Sequence, residues 1–329
     1  MEQKQKNYLG IDAITFRFQP SSMKNIEFKE KRNVAGSIIF QLSPYRQKFV
    51  TLVIIPSHWI RADNRQPFAG DDCVCLRDVL PALRTFLRDC SVPLSGLRCT
   101  AAEVNFTSDL LNLNNYDKEN GREQVSQLLQ FLSCALLHEG DCGTEHFIGV
   151  KSPDGLISKQ YQSLLLKRER RYVLKIYNKS AQLNENGHLL RFEVVLLQKE
   201  LSKIFASGGT VSDVLNETAL SALCGRFAEI VLTEIIPSVR RYQSRLSRKF
   251  IRLARESGIM EAFSLLIGNN LIFDESGVRY AVARFYGKGR KSNVSNMVKK
   301  VLSRFNCCTI LSPFVCSLRR ACRDLINAR

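Results

Sequence analysis

Three short segments of the sequence each carry chemically reactive side chains on alternate residues. In a β-strand, alternate side chains point to opposite faces of the sheet, so residues two apart lie on the same face. The segment YVLKIYNK at 172–179 therefore has a tyrosine and two lysines on one face. The segment HLLRFEVVLL at 188–197 likewise has an arginine and a glutamate on one face. LRCTAAEVNFT at 97–107 places a second glutamate on the same face as an asparagine. The residues concerned are Lys175, Tyr177, Lys179, Arg191, Glu193, Glu103 and Asn105.

If these strands are neighbours in one sheet, their side chains suit the transfer of a phosphate to a tyrosine. A phenol with a reference pKa of about 10 is a poor nucleophile at neutral pH, and adjacent cations or a metal favour its phenolate. Carboxylates are ligands for Mg²⁺ or Mn²⁺, which polarise a phosphate. Because transesterification conserves the bond energy, it needs no nucleotide hydrolysis, and the chain contains no G-x-x-x-x-G-K-[ST] motif. The alternative is that these residues form only the solvated face of an antiparallel sheet, where charged side chains are the rule.

The periodicity of the chain predicts an α+β fold that would position these strands. We expect a central, mainly antiparallel sheet with flanking helices, followed by a basic, mostly helical C-terminal domain. Helical spacing runs through most of the chain beyond Gly208-Gly209. Further predicted elements are a hairpin at 37–55, strands at 97–107, 172–179 and 188–197, a helix at 75–90 with Pro81 as a kink or restart, and a helix at 119–138.

Positive charge is concentrated at one end of the chain. The whole sequence has 48 Lys and Arg against 31 Asp and Glu, a net charge of +17. From Pro237 onward it has 19 Lys and Arg against 5 Asp and Glu. We therefore place a domain boundary there, giving a catalytic domain at 1–236 and a basic DNA-binding domain at 237–329. A polycation of this kind is typical of a protein that binds a polyanion.

An arginine stripe is predicted on the first helix of the basic domain. At 100° per residue, arginines spaced three and four apart share one helix face. Fixed guanidinium groups with few acidic neighbours suit a phosphate backbone, and the alternative is a solvated helix surface. The stripe consists of Arg241, Arg245, Arg248, Arg252 and Arg255.

The cysteines and the apolar segments indicate the compartment. The count of 11 cysteines is odd, and free thiols in a reducing cytoplasm are the better interpretation. No apolar run approaches the length of a membrane span, and the N-terminal sequence has no signal-peptide core, so we expect a cytoplasmic protein without a membrane partner.

Two cysteines and two histidines lie close together in the sequence at intervals of four. Whether this cluster binds structural zinc stays open, because its spacing fits no usual zinc pattern. It consists of Cys134, His138, Cys142 and His146.

Several motifs resemble those of the replication initiators of filamentous phages, the gene II type of rolling-circle nickase, and less closely those of rolling-circle plasmid initiators. RCTAAEVNFTS resembles the family's R-I-D-x-x-F-S strand, and YVLKIYNK followed by LLRFEVVLL is similar to its Y-x-K and R-F-E strands. FVTLVIIPSHWIRADNRQPFAGDD, at 49–72, resembles a strand that leads into the family's G-H-N-x-F-G loop, although Asp63 to Pro67 replace the Gly-His-Asn. These motifs follow one another in the family's order.

The resemblance implies a role for each matched residue. Tyr177 falls on the family's DNA-linking tyrosine and Lys179 on the lysine that follows it. Glu103 falls on the acidic residue of its strand, and Arg191 with Glu193 falls on the Arg-Phe-Glu element. Glu103 and Glu193 would then hold or support Mg²⁺ or Mn²⁺, unless Glu193 pairs with a neighbouring cation instead. The cations of the site would stabilise phosphate charge, and they are Lys175, Lys179 and Arg191.

The same resemblance implies an initiator of rolling-circle DNA replication. Such a protein nicks one strand of a double-stranded origin, keeps the 5′ end as a phosphotyrosine, leaves a 3′-hydroxyl primer and later rejoins the displaced strand. Its partners would be origin DNA, double- and single-stranded, together with a host helicase, polymerase and single-strand binding protein. Two alternatives remain: a DNA-binding replication regulator or repressor without enzymatic activity, and a mobilisation relaxase that acts at a transfer origin.

Overall fold

The computed structural model describes a large antiparallel sheet and a set of helices. The described residues are 7–18, 30–32, 38–42, 50–57, 76–89, 96–113, 115–137, 142–151, 157–182, 188–206, 208–269, 271, 273–305 and 307–327. The strands are β1 (Asn7–Phe18), β2 (Glu30–Arg32), β3 (Ile38–Leu42), β4 (Val50–Ile54), β5 (Arg98–Asp109), β6 (Cys142–Lys151), β7 (Ile157–Arg168), β8 (Tyr172–Asn178) and β9 (Leu189–Leu196).

The nine described strands form one sheet in the order β2-β3-β4-β1-β5-β9-β8-β7-β6. Every neighbouring pair in this sheet is antiparallel. The predicted hairpin at 37–55 is confirmed as β3 and β4, and the strands predicted at 172–179 and 188–197 are β8 and β9, which form an antiparallel pair. The strand at 97–107 becomes β5, which lies directly beside β9. The α+β class with a central antiparallel sheet is therefore confirmed.

Helices flank the sheet and make up the C-terminal part of the chain. They are α1 (Leu76–Asp89), α2 (Gly121–Leu136), α3 (Lys179–Gln182), α4 (Gln198–Leu201), α5 (Val211–Val214), α6 (Glu217–Ile230), α7 (Ile236–Ser257), α8 (Ile259–Gly268), α9 (Glu275–Tyr286), α10 (Lys291–Arg304) and α11 (Leu311–Asn327). A π-helical turn at Val231–Ile235 joins α6 to α7. Among the described helices, none combines the length and apolar character needed to span a bilayer.

The apolar face of the central strands packs against helices from the C-terminal part. Phe106 of β5 meets Phe314 of α11 with ring centroids 6.2 Å apart, and Phe192 of β9 meets Phe227 of α6 at 6.1 Å. Edge-to-face pairs of this kind add to the free energy gained by burying the rings. Because alternate residues of a strand face opposite sides, packing this face on helices leaves the other face for polar side chains.

The boundary predicted near Pro237 falls at the start of a helix within a continuous helical stretch. Pro237 occupies the first turn of α7, where a missing backbone N–H is tolerated. The helical backbone runs from α6 through the π turn into α7 without a loop. The division into domains at 1–236 and 237–329 stays a prediction.

Four strands were not predicted from the sequence. They are β1, β2, β6 and β7. The buried apolar side chains of β1 include Ile11, Ile14 and Phe16, so the period of two breaks between Ile11 and Ile14. A shift of register against β5 between Ile11 and Ala13 accounts for this break.

Pro81 does not divide the predicted helix at 75–90, since α1 runs on both sides of it.

Candidate functional site

The polar face of strands β1, β5, β9 and β8 gathers the side chains predicted from the sequence. Glu193 of β9 is in register with Asn105 of β5 on one side and with Lys175 of β8 on the other. Directly opposed residues of neighbouring strands have their Cβ atoms about 5 Å apart, so these side chains meet. The next row of the same face consists of Thr107, Arg191 and Tyr177.

A β-bulge adds an acidic residue that the sequence analysis did not identify. Asp12 lies at the register shift of β1, between Ile11, which pairs with Val104, and Ala13, which pairs with Glu103. The extra residue of a bulge is left out of the ladder and its side chain is re-aimed. Here the side chain of Asp12 points to the polar face and ion-pairs with Arg191 across 3.1 Å.

Three carboxylates converge at this point. One ligand oxygen from each of Asp12, Glu103 and Glu193 lies within 4.8 Å of the other two. Each comes from a different one of three adjacent strands, β1, β5 and β9. Among the described residues this is the one group of such ligands that could hold a metal ion. We call Asp12, Glu103 and Glu193 the acidic triad.

Glu193 connects the acidic triad to the tyrosine. Lys175 Nζ lies 2.5 Å from Glu193 Oε1 and 3.7 Å from Glu103 Oε2. The Tyr177 hydroxyl donates to the other oxygen of the same carboxylate, Glu193 Oε2, at 3.2 Å. The pairing of Glu193 with Lys175, which the sequence left open, is therefore present together with the contact to Tyr177.

Arg191 is held by a chain of buried hydrogen bonds. Its Nε donates to Thr107 Oγ1 at 3.1 Å, and that hydroxyl donates to Asn105 Oδ1 at 3.1 Å. Its Nη1 donates to Asp12 Oδ2. Arg191 is fully buried, and Lys179, at the start of α3, is 2% exposed with its Nζ 5.9 Å from the centroid of the Tyr177 ring. Two cations thus flank the phenol.

The burial of this face differs from that of an ordinary solvated sheet surface. Arg191, Asn105 and Thr107 are fully buried and Glu193 is 2% exposed. Taking charged groups out of water is costly, so such groups are held where their mutual contacts offset the loss. The alternative that the predicted residues are simply the solvated side of the sheet is therefore wrong for Asn105, Arg191 and Glu193.

Burial and mutual repulsion hold the protons of the site more tightly than usual. Burial, followed by the charge of Glu193, raises the pKa of Glu103 to about 7. Burial also raises the pKa of Asp12 against the opposing charge of Arg191. Burial and then the charge of Glu193 raise the pKa of Tyr177, while Arg191 acts in the opposite direction. Burial would by itself lower the pKa of Lys175, but Glu193 and Glu103 raise it.

The acidic triad fits a hard divalent cation. Three carboxylates supply oxygen ligands of the kind that Mg²⁺ and Mn²⁺ take. Asp12 Oδ1 is buried and, within the described residues, has no hydrogen-bond partner, so it is an unused ligand atom. Buried polar atoms are almost always satisfied, and an exception calls for an explanation such as a bound ion. A cation between the three carboxylates would also offset the repulsion that raises the pKa of Glu103.

The arginine stripe lies on the solvent-facing side of α7. All five arginines of the stripe are exposed, and the opposite side of the helix carries buried residues such as Leu246 and Phe250. A surface depression of about 330 Å³ is lined by four arginines and a serine. These residues are Arg240, Arg241, Ser244, Arg245 and Arg248.

Two sequence predictions lie partly or wholly outside the described residues. The loop that resembles the family's G-H-N-x-F-G element begins beyond Ser57 and is not described. Of the possible zinc cluster, Cys134 lies on α2, Cys142 and His146 lie on β6, and His138 is outside the described residues. A zinc site there stays a prediction.

Comparisons with known proteins return few similarities. No protein-family model matches the chain, and no curated protein matches it. A solved rolling-circle replication initiator protein from Geobacillus stearothermophilus is similar to 69% of this chain and 85% of its own, with 10% sequence identity and a TM-score of 0.37. A similarity at this level assigns neither a family nor an activity, so the functional conclusion depends on the site itself.

Proposed function

We propose that this protein is a rolling-circle replication initiator that nicks one DNA strand at its origin by metal-assisted attack of Tyr177. The observation that carries the proposal is the contact between the Tyr177 hydroxyl and Glu193, a member of the acidic triad. One sheet face carries a tyrosine, three carboxylates and the cations Lys175 and Arg191, and Lys179 lies beside them at the start of α3. This set of groups suits phosphoryl transfer, and the packing of a sheet does not require it. The gene II type of the initiator, inferred from short motifs, stays part of this proposal.

In the proposed reaction, Tyr177 Oη attacks the phosphorus of one phosphodiester. An Oη–P bond forms and the bond from phosphorus to the 3′ oxygen breaks, which leaves the 5′ phosphate on the tyrosine. Glu193 Oε2 accepts the hydrogen bond of the phenol, so this carboxylate is placed to take its proton as a general base. The departing 3′ oxygen takes a proton from solvent and becomes the primer hydroxyl.

The cations of the site would stabilise the charge that develops on the phosphate. Arg191 and Lys179 lie beside the phenol and are fixed by burial, so they need little reorganisation. Lys175 balances the carboxylate of Glu193. A divalent cation held by Asp12, Glu103 and Glu193 would polarise the phosphate and favour the phenolate of Tyr177.

The arginine stripe of α7 would bind the duplex outside the cleavage site. Its exposed guanidinium groups suit phosphates, and binding of this kind depends steeply on salt. A protein that had only this property would be a replication regulator without enzymatic activity.

Cleavage and covalent attachment test the proposal together. Supercoiled DNA that carries the gene and its flanking sequence is incubated with the full-length protein and Mg²⁺ or Mn²⁺, and nicked circles and DNA-bound protein are measured. We expect both products from the wild type and neither from Tyr177→Phe. The control is Tyr280→Phe, which also removes a tyrosine hydroxyl, but from a half-exposed residue of α9, and it should behave as the wild type.

Each other outcome leads to a different conclusion. A covalent product that persists in folded Tyr177→Phe would assign the chemistry to another residue. Binding of the same DNA without any nick, in either metal, would favour the non-enzymatic regulator.

A further inference from the structure

Helices α9 and α10 form a helix–turn–helix pair in the C-terminal part of the chain. α9 ends at Tyr286, α10 begins at Lys291, and a turn of four residues, Gly287 to Arg290, joins them. α9 also packs against α7, so this pair rests on the helix that carries the arginine stripe. Two helices joined by a turn of three or four residues that contains glycine are a recurrent DNA-binding unit, whose second helix enters the major groove.

The turn requires glycine at two positions because of the backbone angles there. Gly287 and Gly289 have φ angles of 78° and 89°, in the left-handed region that side chains with a Cβ rarely adopt. A Cβ built at either position would meet no atom within 4 Å, so space is not the constraint. The glycines therefore fix the path of the chain between the two helices.

α10 has an inner apolar side and an outer polar side. Val298 and Val301 are buried against the rest of the helical region. On the outer side, Asn293 and Asn296 are exposed, one turn apart, and within the described residues neither side-chain amide has a hydrogen-bond partner. An asparagine amide offers a donor and an acceptor together, which is the pattern that pairs with the N7 and N6 of adenine in the major groove.

The charge around α10 favours a nucleic acid as the occupant of this surface. Residues 276–323 contain 11 Lys and Arg and no Asp or Glu. Lys288, Arg290 and Lys291 lie at the N-terminal end of α10, where cations are unfavourable because the helix dipole is positive there. No acidic residue occurs in the first turn of α10 to offset them. Phosphates on either side of a groove would supply the missing negative charge.

The dimensions of α10 agree with this occupant. Its 14 residues give a length of about 21 Å at ~1.5 Å per residue. A single α-helix of this kind fits the major groove of B-DNA, which is about 12 Å wide. Lys299 and Lys300, exposed on the second half of the helix, can then contact phosphate while the first half meets base edges.

We propose that α10 is the base-reading helix of this protein, with Asn293 and Asn296 contacting base edges in the major groove of duplex DNA. This inference names the origin-recognition element of the proposed initiator and in that sense rests on the proposed function. It separates two roles: the arginine stripe of α7 supplies affinity, and α10 supplies the choice of sequence.

The test measures sequence preference without cleavage. Full-length Tyr177→Phe protein is used to select duplexes from a random-sequence library, and affinities for the selected and a scrambled duplex are compared. We expect enrichment of one sequence, and a ratio of affinities that falls roughly tenfold or more in Asn293→Ala and in Asn296→Ala, with the affinity for scrambled DNA unchanged. The matched control Asn327→Ala, an exposed asparagine at the end of α11, should keep the ratio.

Two further measurements keep the test independent of folding. Replacing adenines of the selected duplex with 7-deaza-adenine removes the N7 acceptor from the DNA alone and should weaken binding to protein that contains Asn293 and Asn296. In contrast, Lys299→Ala and Lys300→Ala should weaken binding to selected and scrambled duplexes alike. Each should lower the salt slope by about 0.9 for every phosphate that the lysine no longer neutralises.

The inference is overturned if no sequence is enriched, or if the ratio of affinities is the same in the Asn293→Ala, Asn296→Ala double variant. Its failure is distinct from that of the nickase. A protein that nicks but shows no sequence preference through α10 would contradict only this inference. A protein that selects a sequence through α10 and never cleaves DNA would contradict only the nickase.

Discussion

The hydroxyl of Tyr177 donates to Glu193 Oε2 across 3.2 Å, and the second oxygen of that carboxylate is bound by Lys175. This contact joins the candidate nucleophile to the acidic triad through one buried side chain. Its consequence is that the proton of the phenol, the charge of the carboxylates and the binding of a metal are coupled. A change to any one member of the triad should therefore alter more than one of these properties.

Glu193→Gln should lower the rate of nicking by at least ~100-fold, since a positioned general base contributes typically 10²–10⁴. The amide keeps the shape of the side chain but can neither take the phenol proton nor carry the charge that Lys175 binds. Single-turnover cleavage of supercoiled DNA measures the rate. Glu119→Gln, at an exposed position in a loop, is the matched control. Undiminished cleavage by folded Glu193→Gln would remove Glu193 from the mechanism.

Asp12→Asn should abolish most of the stabilisation that a divalent metal gives to the protein. A ligand that binds only the folded state at 100 times its Kd adds about 2.7 kcal/mol to the free energy of unfolding. Thermal unfolding with and without Mn²⁺ measures the shift in Tm, which should shrink from several degrees to near zero. Asp324→Asn, an exposed aspartate of α11, should keep the full shift. An equal shift in Asp12→Asn would show that the bulge residue is no ligand.

Metal binding should weaken as the pH falls through about 7, the pKa to which burial and the charge of Glu193 raise Glu103. A protonated carboxyl is a poor ligand, so the apparent Mn²⁺ affinity should fall about tenfold per pH unit below that point. Titrations of Mn²⁺ between pH 6 and pH 8 measure it. Glu103→Gln should bind Mn²⁺ more weakly and show a flatter pH dependence, and an unchanged slope would exclude Glu103 as the titrating group.

In the metal-free protein, the raised pKa of Glu103 makes the free energy of unfolding depend on pH. Because the pKa of Glu103 is raised on folding, the folded state holds this proton more tightly than the unfolded chain. Its contribution to stability is complete below the ordinary glutamate pKa and is lost as the pH rises to about 7. Denaturant unfolding at pH 5 and pH 8 should show a smaller loss of stability in Glu103→Gln than in the wild type.

Arg245→Ala and Arg248→Ala should weaken binding to duplex DNA of any sequence. For every phosphate that is no longer neutralised, the slope of log K against log salt should fall by about 0.9. Affinities for one duplex at several salt concentrations give that slope. Arg122→Ala, at an exposed position of α2, should leave it unchanged. If the two α7 variants bind like this control, the stripe is only a solvated surface.

The sequence by itself determined the residue types and the faces of the strands. Strict alternation in β8 and β9 was enough to place Lys175 on the same face as Tyr177, and Arg191 on the same face as Glu193, because side-chain direction in a strand depends only on a period of two. Burial of Phe192 on the opposite face and the basic composition of the C-terminal part follow from the same local information.

Only the tertiary structure decided how strands that are distant in the chain are ordered in the sheet and where the bulge lies. The order β1-β5-β9-β8 brings Asp12 to Arg191, residues separated by 179 positions in the chain, and no local pattern specifies that pairing. The bulge at Asp12 breaks the alternation of apolar and polar residues in β1, so a period of two does not predict this strand from the sequence. A bulge is stabilised by its neighbours in the sheet, and for that reason the third carboxylate of the site could be found only in the folded protein.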